Sequence, residues 1–164
     1  MSKLIGVMSD THDNMPYIKK AVERFNKENV DLVIHAGDII SPFCAKELEK
    51  LKCKFVAIFG NNDGEHKIWK ERIRNFGEIH ESPYQTELEG LKTLVIHDHV
   101  DDIDLLAESQ NFDIIIYGHT HKTDNKDVGK TLVLNPGEAG GWLYGKKTVA
   151  LLWVPEKKAE VLEL

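Results

Sequence analysis

The chain has 164 residues, of which 41% are hydrophobic and 29% charged, and its formal net charge is −6. This length and balance predict one globular domain over residues 1–164 with one sizeable core. The negative charge and the lack of a long apolar run argue against a membrane span and against a general attraction to nucleic acid. The first residues form a strand-like run and the two cysteines do not form a CxxC pair, so we expect a cytoplasmic protein with reduced thiols.

The first half of the chain alternates apolar runs with segments that carry apolar residues at helical spacing. The predicted strands are 3–8, 30–37 and 54–60, and the predicted helices are 14–29, 41–52 and 65–77. Ser41 is predicted as an N-cap and Pro42 as the first helical residue. Strand and helix alternation with short joints is typical of parallel βαβ units.

The second half of the chain is rich in strands. Its predicted strands are 77–82, 84–90, 91–99, 113–118, 130–137, 147–154 and 159–164, and its one predicted helix is 103–110. Gly90 between two of these strands predicts an antiparallel hairpin. About ten strands with four helices exceed one sheet with two helical covers. The sequence therefore predicts an α/β fold, a four-layer α/β/β/α sandwich of two mixed sheets.

Six of the predicted strands end in, or are directly followed by, acids, amides and imidazoles. They are Asp10, His12, Asp38, Asn61, Asp63, His97, Asp98, His99, His119, His121 and Asn135. Ligands of open α/β sheets bind outside the carboxyl ends of the strands, so these side chains are expected to meet at one rim. Acids and imidazoles crowded in a partly desolvated crevice need compensating positive charge, and divalent cations supply it. Oxygen and imidazole donors without thiolate suit Mn²⁺, Fe²⁺, Ni²⁺, Co²⁺ or Zn²⁺.

The spacing of these residues predicts how they approach a metal. Residues two apart in an extended segment point the same way, so Asp10 with His12, and His119 with His121, are each expected to approach one metal together. The glycines that precede Asp38, Asn61 and His119 are expected to let the backbone turn tightly into the site. The set of candidate ligands is too large for one ion, which predicts two ions that share a bridging carboxylate.

The order D-x-H, G-D, G-N-x-D, H-x-H and G-H-T-H, followed by N-P-G, resembles the calcineurin-like metallophosphoesterases. Within them it looks like the small phosphodiesterases of the YfcE type, and the resemblance covers residues 10–137. It implies the four-layer sandwich and hydrolysis of phosphate esters by a hydroxide that two metal ions activate. The implied ligands are Asp10, His12, Asp38 and His121 for one ion, and Asp38, Asn61, His97 and His119 for the other, with Asp38 as the bridge. Mn²⁺ or Ni²⁺ is expected, and Fe²⁺, Co²⁺ and Zn²⁺ are compatible.

Other polar residues near the motifs are candidates for supporting roles. Asp63 and His99 are predicted to orient ligands or to protonate the leaving group. Asn14 and Asn62 are predicted to contact the phosphate, and Asn62 stands where many relatives carry a histidine. His35 is predicted to face away from Asp38 as a packed core histidine.

Two motifs depart from the pattern of the small relatives. "HDH" replaces "HGH", so Asp98 either adopts a backbone conformation that glycine takes freely or has a function of its own. "NPGE" replaces "NPGS", which places Glu138 after the N-P-G turn.

The leading hypothesis is a metal-dependent phosphodiesterase that acts on small phosphodiesters and has no membrane partner. A nuclease is a second enzyme hypothesis, which the acidic balance and the lack of a basic stripe disfavour. A non-catalytic scaffold of the same fold is a third hypothesis. All seven implied ligand positions hold competent residues, which favours the enzyme. The predicted edge strands near the C-terminus leave a homo-oligomer open.

Overall fold

A computed structural model describes residues 1–98 and 100–164 of the chain. The strands are β1 (Lys3–Met8), β2 (Leu32–His35), β3 (Lys54–Ile58), β4 (Gly77–His80), β5 (Tyr84–Leu88), β6 (Leu91–Ile96), β7 (Ile114–Tyr117), β8 (Thr123–Val128), β9 (Thr131–Pro136), β10 (Thr148–Val154) and β11 (Lys158–Glu163). The α-helices are α1 (Met15–Glu28), α2 (Ala45–Leu48), α3 (His66–Ile73) and α4 (Ile103–Glu108). Short 3₁₀ turns lie at Pro42–Cys44 and Val100–Asp102. Within the described ranges, no helix is both long and apolar enough to cross a membrane.

The strands form two mixed sheets. The first sheet has the order β11-β10-β1-β2-β3-β4, in which β1 to β4 are parallel and β10 and β11 antiparallel. The second has the order β5-β6-β7-β9-β8, in which β6, β7 and β9 are parallel and the two edge strands antiparallel. Alternate side chains point to opposite sides of a sheet, so the apolar strands add side chains to the layers on either side of their sheet.

Three separate apolar clusters identify the layers. The central cluster joins the facing sides of the two sheets, with Ile5 and Ile34 from the first sheet and Ile116 and Leu134 from the second. A second cluster packs α1, α2 and α3 against the outer side of the first sheet. A third packs α4 against the outer side of the second sheet. The predicted four-layer α/β/β/α sandwich is therefore confirmed.

Two elements differ from the sequence prediction. Strand β8 was not predicted, because its sequence TDNKDV has no apolar alternation and most of its residues are exposed. It forms as an edge strand through antiparallel pairing with β9, a tertiary contact that local sequence does not encode. The predicted helix at 41–52 is shorter, a 3₁₀ turn followed by α2. Its predicted N-cap is confirmed, since the Ser41 hydroxyl accepts a hydrogen bond from the Phe43 N–H at 3.4 Å.

The parallel strands of both sheets end at one rim, where the loops are tied to one another. In the first sheet, the main-chain N–H of Asp10 donates to the Gly37 carbonyl at 3.0 Å. Between the sheets, the main-chain N–H of His119 donates to Asp10 Oδ2 at 3.0 Å. The His97 ring nitrogen Nδ1 donates to the Ala36 carbonyl at 2.7 Å. These bonds bring the polar loops of the two sheets together at one place.

Candidate metal centre

The loops that follow β1 and β7 leave the extended conformation. Asp10, His12, His119 and His121 have φ angles of 52°, 40°, 69° and 61°, in the left-handed region. The alternation of an extended segment therefore does not apply in these loops, although Asp10 and His12 still join one group of donors. His119 and His121 join different groups of donors, contrary to the expectation from their spacing and as in the two ligand sets that the resemblance implied. Strain of this kind in several neighbouring residues is typical of functional sites.

One group of donors, called the Asp10 group, consists of Asp10, His12 and His121. The Asp10 Oδ1 atom lies 3.3 Å from His121 Nε2 and 3.7 Å from His12 Nε2. The rings of His12 and His121 have centroids 5.1 Å apart. Asp10 is fully buried, so its carboxylate is turned inward to these imidazoles and away from solvent.

A second group of donors, called the His119 group, consists of His97, Asp98 and His119, and Asn61 adjoins it. The amide oxygen of Asn61 lies 3.0 Å from His97 Nε2 and 3.0 Å from His119 Nδ1. Because the Ala36 carbonyl can only accept, the Nδ1 of His97 carries a proton and its Nε2 faces the centre. The His97 ring is thus held in the orientation that a metal ligand needs.

Asp38 lies between the two groups. Its Oδ2 atom is 3.4 Å from His12 Nε2 and 3.3 Å from His97 Nε2. Asp38 is buried, and its carboxylate accepts hydrogen bonds at 2.9 Å from both the main-chain N–H and the side-chain amide of Asn62. One oxygen of Asp38 therefore contacts histidines of both groups at 3.4 Å or less, as a bridging ligand requires, whereas Asp10 Oδ1 lies 3.9 Å from His97 Nε2.

The proton equilibria of these residues show strong mutual charge interactions. Burial alone would raise the pKa of Asp38, but its contacts with His97 and the hydrogen bonds from Asn62 lower that pKa well below its usual range. Burial alone would lower the pKa of His97, but the carboxylates of Asp38 and Asp10 raise it to about 9. The pKa of Asp10 is lowered, like that of Asp38, and the pKa of His12 is raised, like that of His97. Burial opposes both of these shifts. Positive charge at this position therefore stabilises the buried carboxylates.

Unpartnered atoms also indicate room for a cation. Asp10 Oδ1 and His12 Nε2 are buried, and each lacks a hydrogen-bond partner in the part of the chain that the structure describes. Both atoms face the space between the ligand-bearing loops. Buried polar atoms are normally hydrogen-bonded, so a pair of such atoms within one donor group fits a metal site. The oxygen and nitrogen donors found here fit borderline divalent ions.

Glycine at two positions is required by close packing around the centre. A Cβ atom at Gly60 would collide with the Asp38 carboxylate, and one at Gly118 would collide with the Ser9 hydroxyl and lie 2.8 Å from Asp10 Oδ2. A tight backbone turn was expected at the glycines before Asp38, Asn61 and His119. The glycine before Asp38, Gly37, has a left-handed φ of 100°. At Gly60 and Gly118 the small volume of glycine lets the loops approach the two carboxylates.

Asp63 supports the loops that carry the other residues. Its carboxylate is buried and accepts main-chain N–H hydrogen bonds from Asp38 at 2.8 Å, Ile40 at 2.7 Å and Gly60 at 2.7 Å. Burial raises the pKa of Asp63 in spite of these donors. Both carboxylate oxygens are occupied by donors, which favours the orienting role of Asp63 over protonation of a leaving group.

The remaining predicted residues occupy different surroundings. Asn62 is exposed beside Asp38. The side-chain amide of Asn14 donates to the Gly140 carbonyl at 2.7 Å, which commits this nitrogen to a loop contact. His35 is confirmed as a packed core histidine, since its Nδ1 accepts from the Gly37 N–H at 3.1 Å and its Nε2 lies 3.0 Å from the Thr11 hydroxyl. Burial lowers the pKa of His35 to about 3. His99 lies outside the described residues.

Sequence reasoning assigned no firm role to two acids that lie at the centre. Asp98 belongs to the His119 group. Glu138 is 1% exposed, and its Oε2 atom lies 2.6 Å from His121 Nδ1. Both positions were visible as departures from the family motifs, in "HDH" and "NPGE". Their placement depends on contacts between segments distant in sequence, which no local pattern encodes.

Comparison with known proteins agrees with this geometry. A family model described as the calcineurin-like phosphoesterase superfamily domain matches residues 4–157. Phosphodiesterase MJ0936 of Methanocaldococcus jannaschii is 42% identical over 157 residues, which cover 94% of this chain and 95% of that protein. Phosphodiesterase YfcE of Escherichia coli strain K12 is 24% identical over 142 residues, which cover 79% and 75%. A solved structure described as a novel archaeal phosphodiesterase has a TM-score of 0.92 and 40% identity, and the match covers 98% of this chain and 99% of that one. The resemblance inferred from the motifs is confirmed, and the chain belongs to the calcineurin-like phosphoesterase superfamily.

Proposed function

We propose that this protein is a phosphodiesterase that depends on two divalent metal ions and acts on small phosphodiesters. The observation that carries the proposal is the placement of Asp38, whose carboxylate contacts one histidine of each donor group. Two groups of donors joined by one acid fit a pair of ions better than a single ion. The 42% identity to phosphodiesterase MJ0936 supports the reaction class.

In this proposal the two ions share Asp38 and otherwise have different protein ligands. Asp10, His12, Asp38 and His121 would hold one ion. Asp38, Asn61, His97 and His119 would hold the other, with Asp98 beside them. Such ions supply Lewis acidity for the activation of water and neutralise the charge of the phosphate. They also explain how a chain with a net charge of −6 can attract an anion. We propose Mn²⁺ or Ni²⁺, with Fe²⁺, Co²⁺ and Zn²⁺ as compatible alternatives.

The chain's own residues orient the ligands and the phosphate. Asp63 fixes the main chain at Asp38 and Gly60 and so places the proposed bridging carboxylate. Asn62 is exposed beside Asp38, where its carboxamide can hydrogen-bond a phosphate oxygen. Both cysteines are free, which supports the proposed cytoplasmic location.

A cavity beside His121 is suited to one of the two substituents of a phosphodiester. It has a volume of about 180 Å³, and its lining includes Lys122, Tyr144 and Lys146 next to His121. The Lys122 ammonium lies 5.3 Å from the centre of the Tyr144 ring. Among the described residues, the cavity lining includes two lysines and no acidic residue, so a substituent that carries an additional anionic group fits it best.

Hydrolysis of chromogenic substrates tests the proposed function. We expect the purified protein, supplied with Mn²⁺, to hydrolyse an aryl phosphodiester faster than the matched monoester. EDTA should abolish this turnover, and readdition of Mn²⁺ should restore it. Turnover of single-stranded DNA without turnover of the small diester would favour the nuclease alternative. Metal binding without any turnover would favour a scaffold.

The cavity predicts a selective effect of its two lysines. Replacing Lys122 or Lys146 with glutamine should raise the KM for a diester that carries an additional phosphate by about two- to fivefold, since a solvent-exposed charge pair contributes about 0.5–1 kcal/mol. The KM for a neutral diester should change little, because its substituent offers no charge to either lysine. Steady-state kinetics at low and high salt measures both values.

The exposed Lys158 on β11 provides the matched control for these two variants. Its replacement with glutamine removes the same charge away from the cavity and should leave both KM values unchanged. An equal rise in KM for the two substrates in the Lys122 and Lys146 variants would contradict the proposed binding of an anionic substituent.

A further inference from the structure

We propose that Glu138 is a positioning residue that couples the loop at residues 139–145 to one of the two proposed metal ions, the ion held by the Asp10 group. This inference rests on the proposed pair of ions. It adds a residue outside the implied ligand set and predicts an effect on one ion only.

Glu138 lies within hydrogen-bond distance of a histidine of the Asp10 group. Its carboxylate is 1% exposed, and its Oε2 atom lies 2.6 Å from His121 Nδ1. Because an ionised carboxylate can only accept, Nδ1 of His121 is the donor in this contact, and the lone pair of the ring lies on Nε2. The Nε2 atom in turn faces Asp10 Oδ1 at 3.3 Å. Glu138 therefore selects the tautomer and the ring orientation of His121 that metal binding needs.

The same carboxylate holds the loop that follows it. Both oxygens accept the main-chain N–H of Leu143 at 3.1 Å, and Oε1 accepts the main-chain N–H of Tyr144 at 2.6 Å. Ala139 is buried in the core, but Trp142, Leu143 and Tyr144 are 64%, 65% and 56% exposed, so little apolar packing fixes the part of the loop at 142–144. Charge-assisted hydrogen bonds to one buried acid are thus a main source of its order.

The rest of the loop is attached to the segment that carries Asp10 and His12. The Gly140 N–H donates to the Asp10 carbonyl at 3.2 Å. The indole Nε1 of Trp142 donates to the His12 carbonyl at 3.1 Å. Asn14 donates to the Gly140 carbonyl at 2.7 Å. These contacts reach the segment that supplies Asp10 and His12, and Glu138 itself reaches His121, the third member of the Asp10 group.

The coupling is one-sided. Among the residues that the structure describes, the hydrogen bonds of Glu138 and of the loop reach no ligand of the His119 group. His97 and Asn61 are instead oriented by the Ala36 carbonyl and by each other. Loss of Glu138 should therefore weaken the ion of the Asp10 group and spare the other ion. A role confined to general stability would weaken both ions alike.

Metal titration of the full-length protein tests the inference. Calorimetry with Mn²⁺ should resolve two ions for the unmodified protein. In Glu138→Gln and Glu138→Ala, one of the two affinities should fall by about 10- to 100-fold, as is usual for partners that orient ligating histidines. The other affinity should stay within about twofold of its original value, because Glu138 orients no ligand of the His119 group. The alanine variant should lose more than the glutamine variant, because glutamine keeps one acceptor oxygen.

Two further variants control this titration. Glu160→Gln changes an exposed acid on β11 and should leave both affinities unchanged. Trp142→Phe removes the indole N–H that donates to the His12 carbonyl and should weaken the same ion as the Glu138 variants, by a smaller factor. If Glu138→Ala does not fold, Glu138→Gln and Trp142→Phe carry the test.

The outcomes separate this inference from the proposed function. Equal weakening of both ions, or two unchanged affinities in Glu138→Gln and Trp142→Phe, would overturn the coupling while leaving the pair of ions in place. Binding of fewer than two ions by the unmodified protein would instead overturn the proposed function, together with the inference that rests on it.

Discussion

Asp38→Asn is expected to lower kcat/KM for an aryl phosphodiester by about a thousandfold, which corresponds to about 4 kcal/mol of lost transition-state stabilisation. The reason is the position of the carboxylate, which contacts His12 on one side and His97 on the other. Asparagine has nearly the same shape but no charge. It offers a single acceptor oxygen in place of two and should not hold two cations.

The fold of this variant should persist, since Asn62 can still donate its main-chain N–H to the remaining oxygen. Circular dichroism and thermal unfolding measure this, and kinetics with Mn²⁺ measures the turnover. Asp104→Asn is the matched control, because Asp104 is an exposed acid on α4 whose side chain is 72% exposed. Undiminished turnover in Asp38→Asn would remove Asp38 from the proposed bridging position.

Asp63→Ala is expected to lower the free energy of unfolding by about 2–4 kcal/mol and to abolish turnover as well. The substitution leaves the main-chain N–H groups of Asp38, Ile40 and Gly60 without their acceptor. An unsatisfied buried donor costs about 1–3 kcal/mol, and partial access of water reduces the sum for these three. The loop that presents Asp38 should then lose its fixed conformation.

Denaturant unfolding compared with Asp31→Ala checks this prediction. Asp31 is an exposed acid whose carboxylate accepts a single main-chain N–H, that of Leu4, at 2.8 Å. Its replacement should cost about 1 kcal/mol or less, because water can replace the lost acceptor. Similar losses of stability in the two variants would contradict the special role of Asp63. Full turnover in a folded Asp63→Ala protein would show that the loop keeps its place without this acid.

Much of the fold followed from the sequence because its signals are local. Apolar runs with helical segments between them predicted β1 to β3 and α1 to α3, and each strand formed where its run lies. The count of strands against helices predicted two sheets, which the apolar cluster between them confirms. Strand β8 was missed because it is polar and forms only by pairing with β9. Its stability is a tertiary property, which local propensity does not report.

The site was predictable in composition and only partly in geometry. Polar residues at the ends of parallel strands must meet at one rim, so the motifs alone brought the same donors together. The loop after β7 has left-handed φ angles and separates His119 from His121, whereas the loop after β1 also has left-handed φ angles and keeps Asp10 and His12 in one group. A rule that assumes an extended chain has no means of anticipating such a turn.

The sequence by itself determined which chemical groups this protein brings to its centre, their order along the chain, and the family to which the chain belongs. Only the tertiary structure decided the distances within those groups, the contacts of Asp38 with His12 and His97, and the contact of Glu138 with His121. The physical reason is that composition and strand ends are properties of local sequence. The direction of a side chain within a site depends on loop torsions and on hydrogen bonds to segments far away along the chain.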